Sequence, residues 1–264
     1  MLGDALRQLG SWAVGFVTET AQVSHLALLA AERTFIGPFR GEAVRWKETG
    51  IQFLRAGNES LPLVTLISVL VGMILALQSA YQLRQLGAIE LTADLVAVSV
   101  TRELAPLLTA ILVAGRVGSA ITAELATMKV SQEIDALTVM GLDPVPFLVV
   151  PRLIGLVVAL PCITLCAELA GILGGCGVAV SALGLGAPGY LSDSLDALEL
   201  QDLWGGTLKA FAFSGIIGLV GCHQGLSTEG GANEVGRSTT TSVVASIVLI
   251  IVAYLYVTAL LYAG

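Results

Sequence analysis

Five apolar runs dominate this chain, each about twenty residues long and without the alternation of a half-buried strand. They lie at about 61–83, 94–115, 145–178, 206–226 and 241–262. A bilayer core of roughly 30 Å takes about 20 apolar residues as a helix, which satisfies its own backbone polar groups in lipid. A membrane β-barrel would alternate over strands of about ten residues. The runs therefore predict an all-α integral membrane protein with five transmembrane helices. Composition agrees: 55% of the 264 residues are hydrophobic and 12% charged, against roughly 25% charged in soluble domains. Thirty glycines and 6% aromatics favour close helix contacts through small residues. Gly171-x-x-x-Gly175 and Gly221-x-x-x-Gly225 are candidates for such contacts. The third run exceeds one bilayer thickness, so it tilts or protrudes, and Pro144, Pro146, Pro151 and Pro161 make its first half irregular.

The chain reads as a single domain, 1–264, with an N-terminal region 1–58 and a transmembrane core 59–264. Leu2, Leu6, Leu9, Ala13 and Phe16 share a helical face opposite Asp4, Arg7, Gln8 and Ser11, which predicts an amphipathic helix at the membrane interface. The run 12–31 is nearly long enough to span, but Glu19, Gln22 and His25 interrupt it. No basic n-region and apolar h-region marks a signal peptide. Arg7, Arg33, Arg40, Arg45, Lys47, Arg55, Arg116, Lys129, Arg152 and Arg237 fall on one side of the spans and Arg84 on the other. The positive-inside rule then makes the N-terminus and the 116–143 segment cytoplasmic. The acidic 182–204 loop (Asp193, Asp196, Glu199, Asp202) and the C-terminus face outward.

The 116–143 segment carries its own helix signals. Ser131 suits an N-cap, Gln132, Glu133 and Asp135 a first turn, and Gly141 a C′ cap. Ala136, Leu137, Val139 and Met140 form an apolar strip, and Asp143-Pro144 opens the next helix. A short helix on the aqueous face implies something that docks there.

Charges inside the spans are the other candidates. Arg102 and Glu103 lie in the second run, and Pro106 cannot donate to the Arg102 carbonyl. Charges at this depth line a polar cavity or pair with neighbouring helices, and both readings stay open. Glu168 is a weaker candidate of the same kind, and Lys209, near an outer helix end, is expected to snorkel. Other chemistry is sparse. There is no GxxxxGK[ST] P-loop, and the GxGxxG at 184–189 contains Pro188 and follows no strand. Cys162, Cys166, Cys176 and Cys222 read as small apolar residues rather than metal ligands. The sequon Asn58-Glu59-Ser60 reads as idle, and His25 and His223 belong to no triad. The net charge of −7, with no basic patch interleaved with aromatics, gives no footprint for nucleic acid.

The segment RELAPLLTAILVAGRVGSAITAELATMKVSQEIDALTVMGLDPVPFLVVPR, residues 102–152, resembles the core signature of the MlaE/YrbE permeases. These are membrane subunits of ABC systems that move phospholipids or other lipids with Mce-domain partners and maintain outer-membrane lipid asymmetry. The resemblance implies a homodimeric inner-membrane permease that is not itself an enzyme. ATP and Mg would be bound by a separate cytoplasmic ABC ATPase, with no cofactor in this chain, and a periplasmic Mce-domain protein would receive or deliver phospholipid. It also implies that Arg102, Glu103, Gln78 and Tyr81 face the lipid cavity, and that Ala123, Glu124, Met128, Glu133, Asp135 and Gly141 belong to the ATPase-coupling region. Rival readings are a secondary transporter or channel using Arg102, Glu103 and Glu168 as an ion relay, and a membrane-embedded lipid enzyme. The first should show inverted repeats, the second a convergent nucleophile and base, and the sequence displays neither.

Overall fold

The structure, a computed structural model, describes residues 21–34 and 45–262. Among these residues there is no strand, and the fold is an all-α bundle. The helices are α1 (21–34), α2 (Trp46–Gln85), α3 (Ile89–Val130) and the short α4 (Glu133–Val139). They continue with α5 (Val145–Leu183), α6 (Ala187–Ala197), α7 (Leu200–Leu226) and α8 (Ala232–Tyr262). Helices α2, α3, α5, α7 and α8 are long and apolar enough to cross a membrane, as the five runs predict. Short connections make successive spans antiparallel. One end of the bundle carries α4 and the other carries α6. The predicted amphipathic face at residues 2–16 lies outside the described residues, as does Arg40. The described part of α1 turns Leu26 and Ala30 into the core and leaves Gln22 and His25 exposed.

Each helix outruns its apolar stretch, because the stretch marks what lipid covers and not where the helix stops. α2 begins at Trp46 rather than near 61. Its polar first turns are held by helix-spaced ion pairs such as Arg55 to Glu59 at 3.4 Å. The same cause carries the second span beyond its run at 94–115: the first half of the 116–143 segment is the continuation of α3. Ser119, Thr122 and Thr127 donate back to the carbonyls of Gly115, Gly118 and Ala123 within that helix. Ile121, Thr122, Leu125 and Ala126 form its buried face.

Ser131 is therefore not the N-cap of α4. It ends α3, donating to the Thr127 carbonyl at 2.9 Å, and Gln132 reverses the chain at φ 61°. The end of α4 is as expected. Gly141 sits at φ +78°, and the Gly141 and Leu142 amides close on the Thr138 and Leu137 carbonyls, each at 3.0 Å. The Asp143 carboxylate accepts the Val145 amide at 3.0 Å and opens α5. In the apolar strip, Leu137 turns inward beside the buried Ile134, whereas Ala136, Val139 and Met140 face out.

The acidic 182–204 segment is likewise more than a loop. Gly184, at φ +73°, stops α5, and Pro188 sits in the first turn of α6. Tyr190 and Ser194 of α6 are buried. The GxGxxG pattern is thus the seam between two helices.

The tightest packing joins α2 to α5. Ala56, Ser60, Val64, Ser68, Gly72, Ala76 and Ala80 repeat every four residues along the buried face of α2. This small stripe lets the two backbones approach: a Cβ on Gly72 would stand 1.9 Å from the Gly171 carbonyl oxygen. One on Gly174 would stand 2.3 Å from that of Val69. Gly221 and Gly225 do the same for α7 against α3. The outward faces of α2 and α8 carry Leu66, Leu70, Ile74, Val248, Val252 and Leu255, an apolar surface suited to lipid. The proline-rich start of α5 holds a π-turn at Val145–Val149, and α3 has two more, at Val100–Leu104 and Ala114–Gly118.

Candidate functional site

The first π-turn of α3 organises a buried charge cluster. The Ala105 amide reaches back to the Val100 carbonyl, and Pro106 has no amide hydrogen to give Arg102. The freed Arg102 carbonyl accepts from Lys209 Nζ of α7 at 2.7 Å. The same ammonium donates to Glu103 Oε2 at 2.8 Å. The Tyr254 hydroxyl of α8 donates to that carboxylate oxygen as well, and the Tyr254 ring centroid lies 5.0 Å from Lys209 Nζ. Arg102 turns the other way, bonding Asp202 Oδ1 through Nη2 at 2.6 Å and Nε at 2.7 Å. Adjacent residues project about 100° apart on a helix, so Arg102 and Glu103 find separate partners.

Two expectations change here. Lys209 does not snorkel: its side chain is 0% exposed. Two oxygen acceptors of α3 satisfy it inside the bundle, which an isolated buried ammonium requires. Asp202 is not a solvated loop acid; its side chain is 1% exposed. It also forms the capping box of α7 with Glu199. Asp202, Lys209 and Tyr254 are the members that sequence reasoning missed. Their one available signal is polar residues at the level of Arg102–Glu103, each needing a partner.

Arg102 and Glu103 keep 33% and 28% side-chain exposure, so the cluster has an open side. Gln78 and Tyr81 stand elsewhere, on the outward face of α2 beside Ile74 and Leu77. Glu168 is buried in α5 with Oε1 unpartnered, packed on Gly206 of α7.

A second cluster occupies the α4 end. Glu124 of α3 bonds Arg152 of α5 at 3.2 Å and Arg55 of α2. Glu59 takes Arg116 at 3.9 Å. Ala123, Glu124, Thr127, Met128 and Arg152 line an open cleft of about 380 Å³. Beyond it, Asp135 pairs with Lys129 at 2.8 Å and Glu133 accepts from Ser131 at 2.9 Å. Ala123, Glu124, Met128, Glu133, Asp135 and Gly141 are thus gathered at one end of the bundle. Val139 and Met140 stand at its tip, 89% and 66% exposed. Among the described residues no cluster of His, Cys, Asp or Glu could hold a metal. Both charge clusters join helices through ion pairs and hydrogen bonds.

Comparison with known proteins agrees with this architecture. The Permease MlaE family matches residues 49–260. A probable ABC transporter permease protein of Rickettsia typhi is 40% identical over 211 residues, 80% of this chain and 82% of that protein. One from Synechocystis is 35% identical over 238 residues, 90% of each. The chloroplastic protein TRIGALACTOSYLDIACYLGLYCEROL 1 of Arabidopsis thaliana is 37% identical over 210 residues, 80% of this chain and 60% of that protein. The matched region takes in all five spanning helices and both charge clusters, and on this evidence the chain belongs to the MlaE permease family.

Proposed function

We propose that this chain is the permease subunit of an ATP-driven phospholipid transporter of the bacterial inner membrane. It works as a homodimer, docks a cytoplasmic ABC ATPase at the α4 end and exchanges lipid with a periplasmic Mce-domain protein at the α6 end. ATP and Mg belong to the ATPase, and this chain performs no hydrolysis. The observation that carries the reading is the tip of α4. There Val139 and Met140 are exposed beside the acidic Glu133 and Asp135, on a helix that packs on the end of α3. Apolar side chains rimmed by charge suit a protein partner.

In this mechanism ATPase closure moves α4. α3 continues from that end, through the π-turn at Ala114–Gly118, to the level of Arg102, so the movement reaches the charge cluster through one helix. The one-third exposure of Arg102 and Glu103 supports their contact with a lipid headgroup. Gln78 and Tyr81, on the outer face of α2, would meet lipid where two copies face each other. A ligand drives such a cycle by binding its two states unequally. The excess of basic residues at the α4 end supports an orientation with the N-terminus inside and the C-terminus outside.

Charge reversal at both Glu133 and Asp135 tests the docking. The reading expects lower recovery of the ATPase complex and lower lipid-stimulated hydrolysis, with unchanged membrane insertion. Unchanged assembly and turnover would remove α4 from coupling.

A further inference from the structure

The turn between α4 and α5 is held from outside the spanning core. Asp143 has two bonds, one on each oxygen. Oδ1 accepts the Val145 amide at 3.0 Å and caps α5. Oδ2 pairs with Arg33 Nη2 of α1 at 3.0 Å. Four residues along, Phe147 is held by a second arginine. The Arg45 guanidinium lies 4.0 Å from the ring centroid, and its Nη1 donates to the Phe147 carbonyl at 3.4 Å. Arg45 immediately precedes α2. The end of α1 and the start of α2 therefore grip the same turn, Asp143 to Phe147. That turn runs into the π-turn Val145–Val149, where the backbone departs from regular α-helix. α1 is anchored in its turn by Leu26 and Ala30, which are buried in the same core as Ile134 of α4 and Leu148 of α5.

We infer that α1 and Arg45 form a strut that fixes the α4–α5 turn, with Arg33, Asp143 and Arg45 as positioning residues for coupling. The inference rests on α4 being the ATPase dock. A dock transmits a push only if the turn behind it resists folding up. Two guanidinium contacts to that turn supply the resistance, from a region that the fold does not need in order to span the membrane. On this account α1 is a part of the coupling apparatus. Displacement of α4 is delivered to α5, and through the α2–α5 seam to the rest of the bundle.

Asp143 allows the strut to be separated from the cap. Asparagine is as good an N-cap as aspartate, so Asp143→Asn keeps the Val145 bond and removes the charge that Arg33 pairs with. The experiment uses the full chain with its ATPase in proteoliposomes and reads lipid transferred per ATP hydrolysed. Crosslinking from a cysteine at Met140 to the ATPase reports docking separately. The expected result is normal docking and a fall of about two- to fivefold in that ratio for Asp143→Asn, the scale of a half-exposed ion pair. Arg33→Ala should fall similarly, Arg33→Lys should restore most of the ratio, and the double variant should be no worse than the worse single one. A merely structural role would lower the amount of folded protein and leave the ratio per ATP unchanged. Normal docking with an unchanged ratio in Asp143→Asn and Arg33→Ala overturns the strut and leaves the dock standing. Absence of a Met140 crosslink in the parent complex overturns both.

Discussion

Helix α3 carries two charge clusters, and they are built on opposite principles. At the Arg102 level each charge has its own partner: Arg102 with Asp202, Glu103 with Lys209. Asp202 and Lys209 have almost no exposed side-chain surface. At the α4 end Glu124 is shared by Arg55 and Arg152, and Glu59 by Arg55 and Arg116. Most of those side chains are a third or more exposed, with Arg152 the exception at 11%. Breaking an inner pair is most destabilising where the survivor is its buried member, Asp202 or Lys209, because that charge stays buried and loses its ion-pair partner. Wet, shared pairs are worth little each, since water and a second partner replace what is lost. The first arrangement holds three helices in one geometry. The second lets helix ends trade partners, which suits the end where a motor protein would push.

The comparison breaks most readily at Lys209. Lys209→Met should cost about 2–4 kcal/mol, because it takes the donor from the Arg102 carbonyl and the cation from Glu103, leaving that carboxylate the Tyr254 hydroxyl. The readout is loss of monodisperse permease in detergent and a fall in its unfolding temperature. Pairing it with Glu103→Gln should recover much of the loss. If Lys209→Met alone were neutral, the inner cluster would not be a lock.

The next effect belongs to the uncharged seam that both clusters flank. Gly72→Ala puts a methyl 1.9 Å from the Gly171 carbonyl oxygen, a backbone atom that cannot step aside. It should destabilise by about 1–3 kcal/mol, as overpacked cores do, in the same thermal assay. A neutral result would mean that α2 and α5 are looser than their glycines require.

The smallest effect is expected at Glu124. Glu124→Gln should change stability by less than about 1 kcal/mol, and its residual effect should fade with added salt. A loss as large as that of Lys209→Met would erase the distinction between the clusters.

The residues explain why some of this was legible in sequence and some was not. Spans announce themselves because lipid demands long apolar helices, and Gly141 and Asp143 announce the end of α4 and the start of α5 because capping is local. The freed Arg102 carbonyl was legible too, since Pro106 lacks its donor wherever the helix packs. Its acceptance of Lys209, far along the chain on α7, was not, because pairing across helices depends on tertiary placement. The continuation of α3 through 116–130 was hidden by its polarity: hydropathy reports contact with lipid, and this stretch buries its apolar face against protein instead. Asp202 was masked by the acidic stretch around it, although Glu199 three residues earlier is the spacing of a capping box.

The central claim is that lipid movement through this bundle is driven by an ATPase acting at the α4 end. Transfer of a fluorescent phospholipid out of proteoliposomes, with this chain and its cognate ATPase present, measures that directly. Transfer should require ATP, stop when the ATPase is made hydrolytically inactive, and be indifferent to an imposed ion gradient. Transfer that persists without the ATPase, or that follows the ion gradient, would contradict the account and turn the charges at Arg102, Glu103 and Lys209 into an ion relay.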